Sequence, residues 1–182
     1  GSGPHVDEKE ERVPTDLEAF VSAEGRDEKI AQVRKQIDDL GITYVYYQFP
    51  SVTGRIMGKG VPAPHWETIA GKGFQLVYGA TANLFTDRHG NYIGYGPEAA
   101  ELVGVPEPET FMQLPWDSRV ARVWVTCFRN REERQDPGAF LTSDCRTNLK
   151  QIQATFEEET GLHLRAGTEP EMMWLKLDEK GE

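Results

Sequence analysis

Residues 169–177, Glu-Pro-Glu-Met-Met-Trp-Leu-Lys-Leu, constrain the fold more than any other stretch of the chain. Met172–Leu177 reads as a strongly apolar strand. Side chains alternate across a strand, so Glu169, Glu171, Met173, Leu175 and Leu177 share one face. Three of these five are apolar, and the face is expected to meet a core or the inside of a barrel. Two carboxylates at one end of such a face are costly unless their charge is compensated. A divalent cation, Mg²⁺ or Mn²⁺, does this well because carboxylate oxygens suit hard ions. The plainer alternative is a wet strand rim with both glutamates facing Arg165, and pattern alone leaves both open. The chain stops at Glu182, which suits either a buried terminal strand or a larger protein cut at a loop.

Upstream, Ile30, Val33, Ile37 and Leu40 make one apolar stripe, so Asp27–Leu40 is expected to be a helix, stopped by Gly41. Ile42–Phe49 and Arg55–Val61 read as a strand pair around a turn at residues 50–54. Phe74–Tyr78 reads as a short strand, residues 87–91 as a turn and Pro97–Thr110 as loop. In Val120–Phe128 a strand is expected to turn Ala121, Val123, Val125 and Cys127 to an apolar face. Ser143 or Asp144 caps a helix packing through Cys145, Leu149, Ile152 and Phe156, and Gly161 ends it. Leu162–Arg165 and Met172–Leu177 follow as strands. Pro14–Ala23 reads as a short helix on a loosely held acidic arm, after a Gly-Ser-Gly-Pro-His start that looks like an expression scar. The order of helix, strands, helix and strands is an α+β pattern.

At 182 residues and 20.5 kDa the chain holds one or two domains. Its net charge of −10 argues against nucleic acid, whose affinity comes from Lys and Arg on phosphates. No apolar run reaches the roughly 18 residues of a membrane span. Two cysteines make neither a disulfide framework nor a zinc site, and a reducing cytoplasm is the expected compartment. Gly54–Lys59 lacks the spacing of a phosphate loop, the four histidines lack metal-ligand spacing, and no Ser or Cys is marked as a nucleophile. The catalytic residues are therefore unassigned.

Five segments, in order, resemble the glutamine synthetase family. Tyr44–Pro62 looks like the opening hairpin of its N-terminal domain, with a Phe-x-Asp-x-x-Gly step before a Gly-Lys-x-Val-Pro-like strand. Pro106–Trp116 (PEPETFMQLPW) is similar to Pro-Asp-x-x-Thr-x-x-x-x-Pro-Trp, and residues 120–128 match the strand after it. Ser143–Lys150 (SDCRTNLK) resembles the Asp-Pro-Arg-x-x-Leu start of the first catalytic-domain helix. Gly167–Leu175 (GTEPEMMWL) resembles the Gly-x-Glu-x-Glu-Phe-Phe-Leu strand, the most specific piece. Together they span residues 42–177.

After a tag and flexible acidic arm over 1–26, the resemblance implies a β-grasp-like N-terminal domain over 27–135 and the first helix and strands of a truncated catalytic β-barrel domain over 136–182. It implies an ATP-dependent ligase that phosphorylates the γ-carboxylate of glutamate and lets ammonia or an amine displace the phosphate, working as a ring-shaped homo-oligomer. Glu169 would ligate the Mg²⁺ or Mn²⁺ nearer the ATP phosphates, and Glu171 the one nearer glutamate. The Asp of the hairpin step, which helps bind ammonium, aligns with Ser51 here. A neutral hydroxyl holds no cation, so the expected substrate is an organic amine, unless the loop alignment shifts by a residue or two. The rest of the family's catalytic machinery lies beyond these segments, so the fragment alone is expected to be inactive. The alternative is a stand-alone, non-catalytic binding or assembly module.

Overall fold

The computed structural model describes residues 12–82, 86–92, 96 and 100–181. They form two compact units, one ending at Lys150 and the other running from Gln151. The elements are α1 (Asp16–Val21), α2 (Arg26–Leu40), β1 (Tyr44–Pro50), β2 (Ile56–Pro62), α3 (Trp66–Lys72), β3 (Phe74–Leu76), α4 (Tyr78–Ala82), β4 (Leu102–Pro106), β5 (Met112–Leu114), β6 (Asp117–Phe128) and α5 (Cys145–Thr160). The fold is mixed α+β, as the element order suggests.

In the first unit the strands run β2-β1-β6-β4-β3, with β5 also paired to β6. β1 and β2 are an antiparallel hairpin, with Tyr44 opposite Pro62 and Pro50 opposite Ile56. β1 lies parallel to β6, with Tyr44 opposite Val120 and Gln48 opposite Trp124. β4 and β5 are antiparallel to β6.

One face of this sheet is the core. Val45, Tyr47 and Phe49 alternate into it from β1, and Ala121, Val123, Val125 and Cys127 from β6, none more than 1% exposed. α2 and α3 cover that face with Val33, Ile37, Trp66, Ile69 and Ala70. The Trp66 indole N–H donates to the Ile30 carbonyl at 3.0 Å, which satisfies a polar atom that burial would otherwise strand. α2 starts one residue before the expected position. Leu40 is 45% exposed, and Ile42 takes the buried place instead.

The opposite face is covered only in part. α1 lies over one end, with Leu17 fully buried and the Phe20 ring 5.3 Å from Phe128, beside Val103 and Val105. The arm expected to be loosely held is therefore docked here. A capping box between Thr15 and Glu18 sets its start, and burying Leu17 stabilises it by about 2 kcal/mol. The expected scar at residues 1–5 lies outside the described residues. The start of α5 covers the next stretch. Asp144 accepts from the Thr147 N–H at 3.1 Å, capping the helix, and from the Cys127 N–H at 2.9 Å.

Four expectations are corrected. Residues 102–106, expected as loop, form β4 and are buried throughout, so they carry no alternation to read. The strand expected at 74–78 is only 74–76, and Tyr78 opens α4. In the second unit α5 runs to Thr160, but neither Leu162–Arg165 nor Met172–Leu177 is a strand. Met172, Met173, Trp174, Leu175 and Leu177 are 65–88% exposed. A strand persists only when its N–H and C=O groups are paired, and among the described residues nothing pairs with these. Leu149, Ile152 and Phe156, expected to pack α5, are likewise exposed.

Candidate functional site

Ser51 opens the turn between β1 and β2 and is fully buried. Its hydroxyl lies 3.0 Å from that of Thr53, and its N–H donates to the Arg55 carbonyl at 2.8 Å. Remote residues strap the turn down. Val52 N–H donates to the Thr81 carbonyl at 3.0 Å, the Thr81 hydroxyl meets that of Ser143 at 3.1 Å, and the Cys145 thiol donates weakly to the Pro50 carbonyl at 3.7 Å. These side chains are hydroxyls and one thiol, all neutral. Such a turn can position a neighbour, but it offers no carboxylate to hold a positive charge.

Glu169 and Glu171 stand in the second unit, both exposed. Among the described residues no group of three His, Cys, Asp or Glu side chains is placed to hold a metal ion. The two carboxylates fit Mg²⁺ or Mn²⁺ by donor type, although two glutamates alone leave most of a six-oxygen shell to other donors.

The structure brings together a cluster that local sequence pattern does not signal. Glu107, just after β4, is 2% exposed. It accepts from Arg146 at 2.5 and 3.1 Å, from Lys150 at 3.0 Å and from the Thr126 hydroxyl at 2.8 Å. Burial pushes its pKa up, but these donors more than offset that, so the carboxyl sits below its usual value. The only hint in the sequence was that Glu107 and Arg146 lie inside two of the family-like segments. Nearby, burial and then the Asp144 carboxylate push the Cys127 thiol well up, which makes it an inert core residue. Arg26, at the start of α2, donates to the carbonyls of Ala70 and Pro106, both at 2.9 Å, with its guanidinium 5.0 Å from the Phe20 ring centroid. It fastens α2 to α3 and β4.

No family model matches the chain. Among curated proteins it is similar to glutamine synthetase of Staphylococcus epidermidis, 26% identical over 154 residues, covering 82% of this chain and 31% of that protein. Glutamine synthetase of Staphylococcus aureus is 25% identical over the same shares. Among solved structures it is similar to GmaS in complex with ADP, with a TM-score of 0.55 and 22% identity, covering 70% of this chain and 26% of that one. GmaS without ligand gives a TM-score of 0.55, also at 22% identity, over 69% of this chain and 26% of that one. The structural likeness concerns the fold. No helix among the described residues is long and apolar enough to cross a membrane. The chain spans about a third of the length of its curated relatives, and its likeness in sequence is to the glutamine synthetase family.

Proposed function

We propose that these residues belong to an ATP-dependent ligase that joins the γ-carboxylate of glutamate to an amine. The carrying observation is the likeness to glutamine synthetases over 82% of the chain. In this reading the mixed sheet is the β-grasp-like N-terminal domain over residues 27–135, and residues 136–182 open the catalytic domain. Transfer of the terminal phosphoryl group of ATP to glutamate gives γ-glutamyl phosphate and ADP. The amine nitrogen then forms the amide bond as the C–O bond to phosphate breaks, and phosphate and a proton leave. Glu169 and Glu171 would hold Mg²⁺ or Mn²⁺. Bound there, the cation would neutralise phosphate charge. The protein would act as a homo-oligomer.

The amine is organic in this reading. Ser51 gives the hairpin turn a neutral side chain, and the buried surroundings of the turn would disfavour an unpaired ammonium ion. The likeness to GmaS, a γ-glutamylmethylamide synthetase, supports the same substrate class. The test is an assay of the full-length protein with ATP, glutamate and either methylamine or ammonium. Amide formation favouring methylamine is expected, and Ser51→Asp is expected to shift preference toward ammonium. Efficient ammonium use by the unaltered protein would sink the amine assignment, and no amide from either would sink the ligase reading. The 182-residue chain alone is expected to form no amide under the same assay.

A further inference from the structure

The Ser51 turn takes its shape from its own bonds and its direction from elsewhere. Within it the Ser51 N–H donates to the Arg55 carbonyl and the Gly54 N–H to the Ser51 carbonyl, both at 2.8 Å. These bonds close the turn, but they do not fix where it points. The bond from the Val52 N–H to the Thr81 carbonyl, at 3.0 Å, does. The Cys145 thiol adds little, since it reaches the Pro50 and Ser51 carbonyls at 3.7 and 3.8 Å and a thiol is a weak donor.

Thr81 is not self-supporting. It lies in α4, a helix of five residues, too short to be stable without outside contacts. Its hydroxyl donates its single hydrogen to the Tyr78 carbonyl at 2.8 Å. In the 3.1 Å bond between the two hydroxyls, Ser143 is therefore the donor and Thr81 the acceptor. Ser143 adjoins Asp144, which is 1% exposed. The Asp144 carboxylate accepts from the Cys127 N–H of β6 at 2.9 Å and from the Thr147 N–H at 3.1 Å. A line of bonds thus runs from the central strand through Asp144, Ser143, Thr81 and Val52 to Ser51. Every link lies inside the first unit, so the line does not depend on which surfaces a longer chain covers.

We propose that Ser143 is a positioning residue for the amine: by donating to Thr81 it fixes the direction of the Ser51 turn and so sets how well the amine is held. This rests on the ligase reading, in which Ser51 faces the amine. Reaction depends steeply on such placement, since a displacement of about 1 Å costs up to about a hundredfold. Ser143→Ala is a clean probe, because Ser143 is half-buried and the Thr81 hydroxyl keeps its bond to Tyr78, so no buried donor is orphaned.

The test is steady-state kinetics of the full-length protein, unaltered and as Ser143→Ala, with ATP, glutamate and whichever of methylamine and ammonium the unaltered protein uses. KM for the amine is expected to rise about tenfold, with kcat, KM for glutamate and ATP, and the thermal midpoint unchanged. Hydrogen exchange gives a readout that needs no catalysis: the Val52 amide should lose protection in the variant while the amides of β6 keep theirs. An unchanged Val52 amide would overturn the proposal, as would a fall in kcat or in the thermal midpoint in place of the KM change, which marks a merely structural bond. If the unaltered protein forms the amide and the variant shows the same KM for the amine, this inference fails alone. No amide from the unaltered protein sinks the ligase reading and this inference with it.

Discussion

Glu107 shows how one side chain can tie distant segments together. A carboxylate this deeply buried is tolerated only because Arg146, Lys150 and Thr126 all donate to it. Glu107→Gln leaves Arg146 short of its counter-charge and is expected to cost about 3–5 kcal/mol in denaturant unfolding. Lys150→Ala removes a half-exposed ammonium and is expected to cost about 1 kcal/mol or less. The pH dependence follows from the lowered carboxyl pKa. Glu107 contributes stability above the ordinary value of 4.5, and that contribution is lost as pH falls through the lower folded value. A pH series of unfolding midpoints is expected to show this acid-side loss in the unaltered chain and less of it in Glu107→Gln.

At the scale of elements, close packing makes one glycine far less replaceable than another. Gly73, between α3 and β3, has φ +75°, and a Cβ there would lie 2.7 Å from the Gly104 carbonyl oxygen and from a Val103 methyl. Gly41, after α2, has φ +66° with open space around it. Gly41→Ala is expected to cost about 1 kcal/mol for backbone strain alone. Gly73→Ala is expected to cost about 1–3 kcal/mol more in thermal unfolding, because β4 must shift. The legible elements were those that bury one face. β6 alternates because helices cover its inner side, and α2 shows its stripe because its outer side is wet. β4 was illegible because it is buried on both sides, and its run of Leu, Val, Gly and Val lies among prolines. The Glu107–Arg146 pair joins residues 39 positions apart, beyond any local pattern. Ser51 was legible as a turn residue, but its burial depends on Thr81, Ser143 and Cys145. Met172–Leu177 has the pattern of a strand, yet pattern does not supply the neighbour that a strand requires.

For the molecule as a whole, stability is expected to be divided unevenly. In hydrogen exchange, amides of β6 should open only with global unfolding, in the range of about 5–15 kcal/mol for a domain. Those of residues 162–177 should exchange almost at once, since they carry no ladder. Early protection of that stretch would show that it pairs in solution. The parallel pairing of β1 with β6 also sets an order of events at the ribosome. Thr43 and Arg119, which hydrogen-bond at the start of that pair, are 76 positions apart. The β1–β2 hairpin can close early in synthesis, but its apolar face gains its central neighbour only after residues 117–128 emerge. At roughly 5–20 residues per second that is a wait of several seconds. A nascent chain of this design exposes a sticky, half-finished sheet for that interval, which gives a holding chaperone a defined time and place to act.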